Sequence, residues 1–183
     1  MGKLADWWAR VFGGKKASVS EINYTENKLI IDGKELMFPL HVDILIEILG
    51  KPRATEFETD AETRAFLERS AGVGMVTRRV NYAWDNLGLL AYTYNGAVVN
   101  CLSVLLKPSD LKYAPRNVFG GKILINGTDW FFAMKSAQNG DFIVEYILGD
   151  YKITAEKSDF KKDISECSGD DFNCVDIQIN RRG

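Results

Sequence analysis

Residues 28–38 read KLIIDGKELMF, two apolar runs joined by Asp32-Gly33. An Asp-Gly pair in this position is a strong hairpin signal, because a type I′ turn needs a positive φ at both central residues. The stretch therefore predicts two antiparallel strands joined by a two-residue turn. Pro39 follows directly, and it ends the second strand because proline has no N–H for a strand ladder.

The same pattern returns at residues 122–132, which read KILINGTDWFF and align with 28–38 without a gap. Each copy has lysine, three aliphatic residues, Asp or Asn, glycine, a polar pair and three bulky apolar residues in that order. Convergence on good turn chemistry explains such a match, because Asx-Gly turns are common. An internal duplication explains it as well, and would give two related halves, approximately 22–106 and 116–180.

One helix and further hairpins complete the predicted architecture. Residues 41–49 place apolar side chains at helical spacing, and Gly50 and Pro52 end that helix. Period-two patterns predict further strands at 80–84, 89–94, 97–106, 142–148, 151–155 and 174–180. The expected fold is α+β with mainly antiparallel sheet built from hairpins, because two-residue turns cannot make a parallel crossover.

An amphipathic helix is predicted over residues 1–12, before Gly13-Gly14. Its apolar face carries Leu4, Trp7, Trp8, Val11 and Phe12. Residues 1–17 are therefore interpreted as a short helix and linker, and 18–183 as a single domain. The helix docks on the sheet, remains a mobile arm, or anchors the chain weakly at a lipid surface. The last alternative would make the chain a membrane-peripheral structural or adaptor protein anchored by Trp7 and Trp8.

Composition argues against several classes of protein. The 183 residues carry 23 Lys and Arg against 25 Asp and Glu, a net charge of −2, so nucleic acid is not an expected partner. The apolar runs are shorter than the roughly 20 residues of a membrane helix, so no stable membrane insertion is expected. Three cysteines without a CxxC pair argue against a disulfide scaffold or a zinc module. Cys167 and Cys174 could pair, but without a signal peptide the chain is expected to be cytoplasmic, where thiols stay reduced.

The sequence contains no recognisable catalytic constellation. His41 is the only histidine, and its place before the predicted helix favours a capping role over catalysis. The glycine pairs before Lys15 and Lys122 lack the spacing and the Ser or Thr of a phosphate-binding loop. The acidic clusters lack the spacing of a calcium loop. No catalytic residue, cofactor or metal ligand is therefore predicted, and the chain is not expected to be an enzyme.

Three segments resemble an uncharacterised bacterial domain family of candidate immunity proteins associated with interbacterial toxins. They read IIDGKELMFPLHVDILIEILGKPR at 30–53, VNYAWDNLGLLAYTYN at 80–95 and FGGKILING at 119–127. The LGKP and YxWDxLG motifs within them are the most distinctive. The resemblance implies an immunity protein that binds and neutralises a cognate toxin through the toxin's C-terminal domain. It transfers no catalytic residue and leaves the oligomeric state open.

The acidic tail is the predicted binding surface for that toxin. Toxins that act on nucleic acid have basic clefts, and complementary charge speeds the capture of such a partner. A second acidic segment, residues 56–62, is less dense, and both segments also fit simple solvated loops. The residues predicted to contribute to toxin binding are Asp163, Glu166, Asp170 and Asp171.

Overall fold

The structure is a computed structural model, and it describes residues 18–26, 28–71, 76, 78–149 and 151–178. The helix predicted over residues 1–12 and its linker lie outside these ranges. Within them the chain is mixed α+β, with most strands in two sheets and few helices. The prediction of an α+β fold is confirmed at this level.

A five-stranded sheet holds both copies of the repeated sequence. Its strands, in spatial order, are β3 (Lys34–Met37), β2 (Lys28–Ile31), β1 (Glu21–Thr25), β8 (Lys122–Ile125) and β9 (Thr128–Asp129). The central strand, β1, is antiparallel to β2 and parallel to β8. The two copies therefore lie on either side of the same strand.

Both copies make the same turn. The φ values are +47° and +80° at Asp32 and Gly33, and +50° and +75° at Asn126 and Gly127. These are the positive values that a type I′ turn requires. After the turn the copies differ, because the first continues as a strand whereas the second enters a helix at Trp130.

An eight-stranded antiparallel sheet forms the larger part of the molecule. Its strands, in spatial order, are β10 (Gln138–Asn139), β11 (Ile143–Leu148), β12 (Tyr151–Lys157), β13 (Phe172–Gln178), β7 (Val99–Leu105), β6 (Leu89–Thr93), β5 (Arg79–Trp84) and β4 (Arg53–Phe57). Every neighbouring pair is antiparallel. The last strand, β13, lies in the middle of the sheet, so it joins the meander β5–β7 to the hairpin β11–β12.

The helices in the described ranges are short. They are α1 (Val42–Leu49), α2 (Ala61–Ala71) and α3 (Trp130–Met134), with 3-10 turns at Ile164–Glu166 and Gly169–Asp171. Among the described residues, no helix is both long enough and apolar enough to cross a membrane.

His41 occupies the N-cap position of α1, as its place in the sequence predicts, but not as a side-chain cap. Its side chain makes no capping hydrogen bond at the start of α1. Instead, the backbone N–H of Val42 donates to the carbonyl of Ala97 at 2.8 Å, and His41 itself forms a β-bridge with Val98. The start of the helix is therefore held by backbone pairing with residues 97–98, directly before β7.

The main hydrophobic cluster contains buried residues of both sheets and of α1. Tyr24 from β1, Leu102 from β7, Phe172 from β13 and Leu45 from α1 all belong to it. Residues of β6, β7 and β13 that alternate with these inner positions point to the opposite face of the larger sheet. A second, smaller cluster lies on that outer face, and it consists of Ala83, Leu90, Leu105 and Ala114, with Tyr92 and Tyr113 packed against it.

Candidate functional site

The outer face of the eight-stranded sheet carries two polar side chains, Ser103 and Asp176, next to apolar ones on its central strands. Ser103 of β7 pairs in register with Leu90 of β6 on one side and with Asp176 of β13 on the other. Residues directly opposite on neighbouring strands have Cβ atoms about 4.5–5.5 Å apart. These three side chains therefore form one continuous surface on the sheet.

The loop that follows β7 borders this surface, and the two together line a partly open cavity of about 370 Å³. Lys107, Leu111, Tyr113 and Ala114 contribute the loop's part of the wall. The Tyr113 ring packs edge-on against Phe57 with a centroid distance of 5.3 Å. Aromatic contact thus holds the loop against the sheet at one end of the cavity.

The Arg53 side chain, on β4, forms hydrogen bonds with the same loop. Its guanidinium donates to both carboxylate oxygens of Asp85, with Nε–Oδ2 and Nη2–Oδ1 distances of 3.1 and 2.8 Å. It also donates to the carbonyls of Lys112 and Ala114 at 3.1 and 2.7 Å. The Arg53 side chain therefore joins the sheet, the β5–β6 turn and the cavity loop. The hydrogen bonds that Arg53 donates to Asp85 lower the pKa of the Asp85 carboxyl group.

Replacing Arg53 with lysine is expected to lower the free energy of unfolding by about 1–3 kcal/mol. A lysine keeps the charge, but its single nitrogen cannot reproduce the planar, bidentate contact with Asp85 together with two carbonyl contacts. Urea unfolding measures the change. Arg69→Lys on the exposed side of α2 is the matched control, and equal stabilities for the two variants would contradict the role given to Arg53.

Asp176 is the polar centre of the cavity wall. Its Oδ1 atom is buried and has no hydrogen-bond partner among the described residues. Burial raises the pKa of this carboxyl group, hydrogen bonding by Ser103 and Cys174 acts in the opposite direction, and the charge of Glu156 adds to the increase. None of the ion pairs in the described ranges includes Asp176. The cavity therefore contains a carboxyl group that has no cation partner among the described residues.

Two other charged groups of the wall have hydrogen-bond partners, Glu156 within the wall and Lys107 outside it. Glu156 accepts a hydrogen bond from Asn173 Nδ2 at 2.9 Å. Lys107 donates to the hydroxyl of Ser158 at 2.8 Å. Burial raises the pKa of the Cys174 thiol, and the charge of Asp176 raises it further. The thiol is therefore in its protonated form at neutral pH and is a poor nucleophile.

A family model described as Domain of unknown function (DUF7738) matches residues 21–140, which is more than half of the chain. The chain belongs to this family. Comparison with curated proteins and with solved structures gave no match. The DUF7738 match covers the five-stranded sheet, the β4–β7 meander and the cavity loop. Strands β11–β13, and with them Asp176, Cys174 and Glu156, lie beyond it.

The four tail acids predicted to bind a partner also lie beyond the DUF7738 match. Two of them, Asp163 and Asp171, accept hydrogen bonds within the tail. Asp163 accepts from the backbone N–H of Ser165 at 2.9 Å and so caps a 3-10 turn. Asp171 pairs with Lys162 at 2.9 Å and accepts from the N–H of Ser168 at 2.7 Å, and these contacts hold its pKa well below the usual range. Glu166 and Asp170 are exposed. Two of the four acids therefore stabilise the local fold of the tail.

Sequence reasoning missed an exposed aromatic pair next to these acids. Phe142 and Phe160 stack with a centroid distance of 5.2 Å, and they are 60% and 50% exposed. Ile143 beside them is 42% exposed. The pair lies close to the tail, because the Phe142 carbonyl accepts from the N–H of Lys157 at 2.8 Å. The only sequence signal was a single phenylalanine, Phe160, inside an otherwise polar segment.

The three cysteines, Cys101, Cys167 and Cys174, are free thiols in the structure. Cys167 is buried next to Ile164 in the main cluster. Cys174 lies on the outer face of the larger sheet and lines the cavity. The two tail cysteines are therefore on opposite faces, which explains why they do not pair.

Proposed function

We propose that this DUF7738 chain is a cytoplasmic immunity protein that binds the C-terminal domain of a cognate bacterial toxin and neutralises it without catalysis. The observation that carries the proposal is the exposed aromatic pair, Phe142 and Phe160, beside an acidic tail. The resemblance of residues 30–53, 80–95 and 119–127 to candidate immunity proteins supplies the class of partner. The acidic tail supplies the expected charge of that partner.

The aromatic pair has the properties of a binding hot spot. Single exposed apolar side chains are normal, whereas contiguous exposed apolar patches mark interaction sites. The stacked rings of Phe142 and Phe160 form such a contiguous exposed surface. Aromatic side chains dominate interface energetics because they bury a large area with little loss of conformational entropy.

Charge around the pair favours a basic partner. Asp141 and Asp159 are exposed neighbours of the two phenylalanines in the chain, and Glu166 and Asp170 are exposed further along the tail. Lys161 is a cation next to the pair, with its ammonium group 5.8 Å from the Phe160 ring centre. A toxin with a basic, nucleic-acid-binding cleft fits this surface, because complementary potentials speed association.

Replacing both phenylalanines, as Phe142→Ser with Phe160→Ser, is expected to weaken toxin binding by about 30-fold or more, which corresponds to hot-spot losses of about 2 kcal/mol. The proposal expects a neighbouring gene to encode a toxin, and the C-terminal domain of that toxin is the partner to use. Affinity is measured by biolayer interferometry, and protection is measured as growth during co-expression. Glu166→Lys with Asp170→Lys tests charge separately and is expected to slow association and reduce its dependence on salt. That pair leaves the capping carboxylates Asp163 and Asp171 in place.

The matched control is Met37→Ser on β3, an equally exposed apolar residue at 60%. Met37 lies near the end of β12 that is away from the aromatic pair, because its neighbour Phe38 packs on Tyr151, with ring centres 4.7 Å apart. Tyr151 and Lys157 are at opposite ends of β12, about 20 Å apart at 3.3 Å per residue. Full binding by the phenylalanine variant would place the interface elsewhere, and a parent chain that gives no protection would overturn the immunity function.

A further inference from the structure

We propose that the cavity on the outer face of the eight-stranded sheet binds a small organic cation, an amine or guanidinium group on an apolar or aromatic body, with Asp176 as its counter-ion. The inference does not depend on the toxin-binding function. It rests on the cavity, on the unpartnered buried oxygen of Asp176, and on the direction in which the neighbouring cations point.

The carboxyl group of Asp176 supplies the first argument. A buried polar atom without a hydrogen-bond partner lowers stability, and a buried unpaired charge lowers it more. Ser103 and Cys174 interact with this carboxyl group, yet its Oδ1 has no described partner. A ligand that brings a charged N–H donor would satisfy the carboxylate, and an anion would not.

The distribution of charge supplies the second argument. Both carboxylates of the wall, Asp176 and Glu156, face the cavity region from neighbouring strands. Lys107 directs its ammonium group to Ser158, and the guanidinium of Arg53 is bound by Asp85 below the loop. The wall therefore has two carboxyl groups and one lysine whose ammonium group is directed to Ser158, a balance that favours a cation.

The rest of the wall determines the shape of the ligand. Its apolar part comes from Leu90, Leu105, Leu111 and Ala114, and its aromatic part from Tyr92 and Tyr113. The two tyrosine rings are 6.5 Å apart and close to perpendicular. Aromatic faces attract cations, and a cavity of about 370 Å³ is in the range of small-molecule sites. An amine on a single ring or a short alkyl chain matches this wall.

Tyramine and 4-ethylphenol are the probes that test the proposal, because they share a ring and differ in the amine. Agmatine and spermidine test guanidinium and polyamine chemistry. With the full chain, tyramine is expected to bind about tenfold or more tightly than 4-ethylphenol by calorimetry, since a charge-assisted hydrogen bond is worth about 1.5–3 kcal/mol. Equal binding of the two phenols would overturn the role of the cation.

Asp176→Asn is the decisive variant. It keeps the shape of the side chain and removes the negative charge, so it is expected to abolish the preference for tyramine while raising the Tm of the ligand-free chain by about 2–4 °C. A residue that only supported the fold would not lose binding and gain stability together. Glu166→Gln is the control, because this carboxylate is exposed on the tail. Unchanged tyramine binding by Asp176→Asn would overturn the proposal.

The stability gain of Asp176→Asn is expected to grow with pH. Because the folded-state pKa of Asp176 is raised, the parent chain loses stability as the pH rises from the unfolded pKa of about 3.9 through the folded value. The variant has no such loss. The other titratable groups that line the cavity are present in both proteins: Glu156, Cys174, Tyr92, Lys107 and Tyr113. The charge of Asp176 raises the pKa of Cys174 and of Tyr92, so the two proteins are compared between about pH 5 and 7, where the thiol and the phenol stay protonated in both. A stability difference that stays constant with pH would contradict a buried, titrating carboxylate.

The same cationic chemistry exists in the lysine and arginine side chains of a protein partner. A free amine that binds in an Asp176-dependent manner supports the small-molecule site. If no amine binds at millimolar concentration while Asp176→Asn weakens the complex with the toxin domain, the small-molecule proposal is overturned in favour of a partner's side chain.

Discussion

Replacing Phe172 with alanine is expected to lower the free energy of unfolding by about 3–5 kcal/mol. Phe172 begins β13 and is fully buried. Its ring meets Trp130 and Phe131 of α3 at centroid distances of 5.3 and 6.0 Å. The truncation leaves a cavity that rigid strands cannot close, at the point where α3 packs on the larger sheet. Urea unfolding measures the loss.

The matched control for Phe172→Ala is Phe132→Ala in the same aromatic segment. Phe132 is 67% exposed, so its truncation is expected to change stability by no more than about 0.5 kcal/mol. Similar losses for the two variants would contradict the packing described for β13 and α3.

Replacing Gly88 with alanine is expected to cost about 3 kcal/mol or more. The residue has φ +68°, and an added Cβ would lie 2.2 Å from the backbone nitrogen of Phe119. The left-handed conformation alone costs an alanine about 1–2 kcal/mol, and moving a packed backbone segment costs about 1–3 kcal/mol more. The segment cannot move alone, because the Phe119 N–H donates to Leu105 and the Leu105 N–H donates to Gly88. Thermal and urea unfolding measure the loss.

Gly33→Ala separates the two contributions at Gly88. Gly33 also has a positive φ, +80°, but nothing lies within 4 Å of an added Cβ. Its replacement is expected to cost only the conformational part, about 1–2 kcal/mol. If both glycine variants lost the same stability, the close approach of Phe119 to Gly88 would have no energetic consequence.

Local features of the fold could be predicted because their causes are local. The Asp32-Gly33 and Asn126-Gly127 turns follow from residues that accept a positive φ. The apolar periodicity of residues 41–49 falls on α1. The parallel pairing of β1 with β8 could not be predicted, because nothing in either strand specifies a partner so distant in the chain.

The cavity could not be predicted because it depends on contact between distant segments. The alternation of Val175 and Ile177 with polar residues predicts a half-buried strand, but it does not show what lies against the polar face of that strand. In the structure Asp176 lines a partly open cavity together with residues of the loop after β7. The tail acids show the same limit, since the sequence cannot distinguish the capping carboxylate of Asp171 from the exposed one of Asp170.

The position of β1 between β2 and β8 has a consequence for folding kinetics. Glu21 pairs with Lys122, so roughly a hundred residues separate the two partners. Closing so long a loop costs conformational entropy before the contacts between β1 and β8 can stabilise the chain. Topologies rich in distant contacts therefore fold slowly. During synthesis, β1 can form its hairpin with β2 early, but its other edge stays unpaired until β8 has left the ribosome. For that interval the nascent chain presents an open strand edge, the kind of surface on which chaperones act and from which aggregation begins.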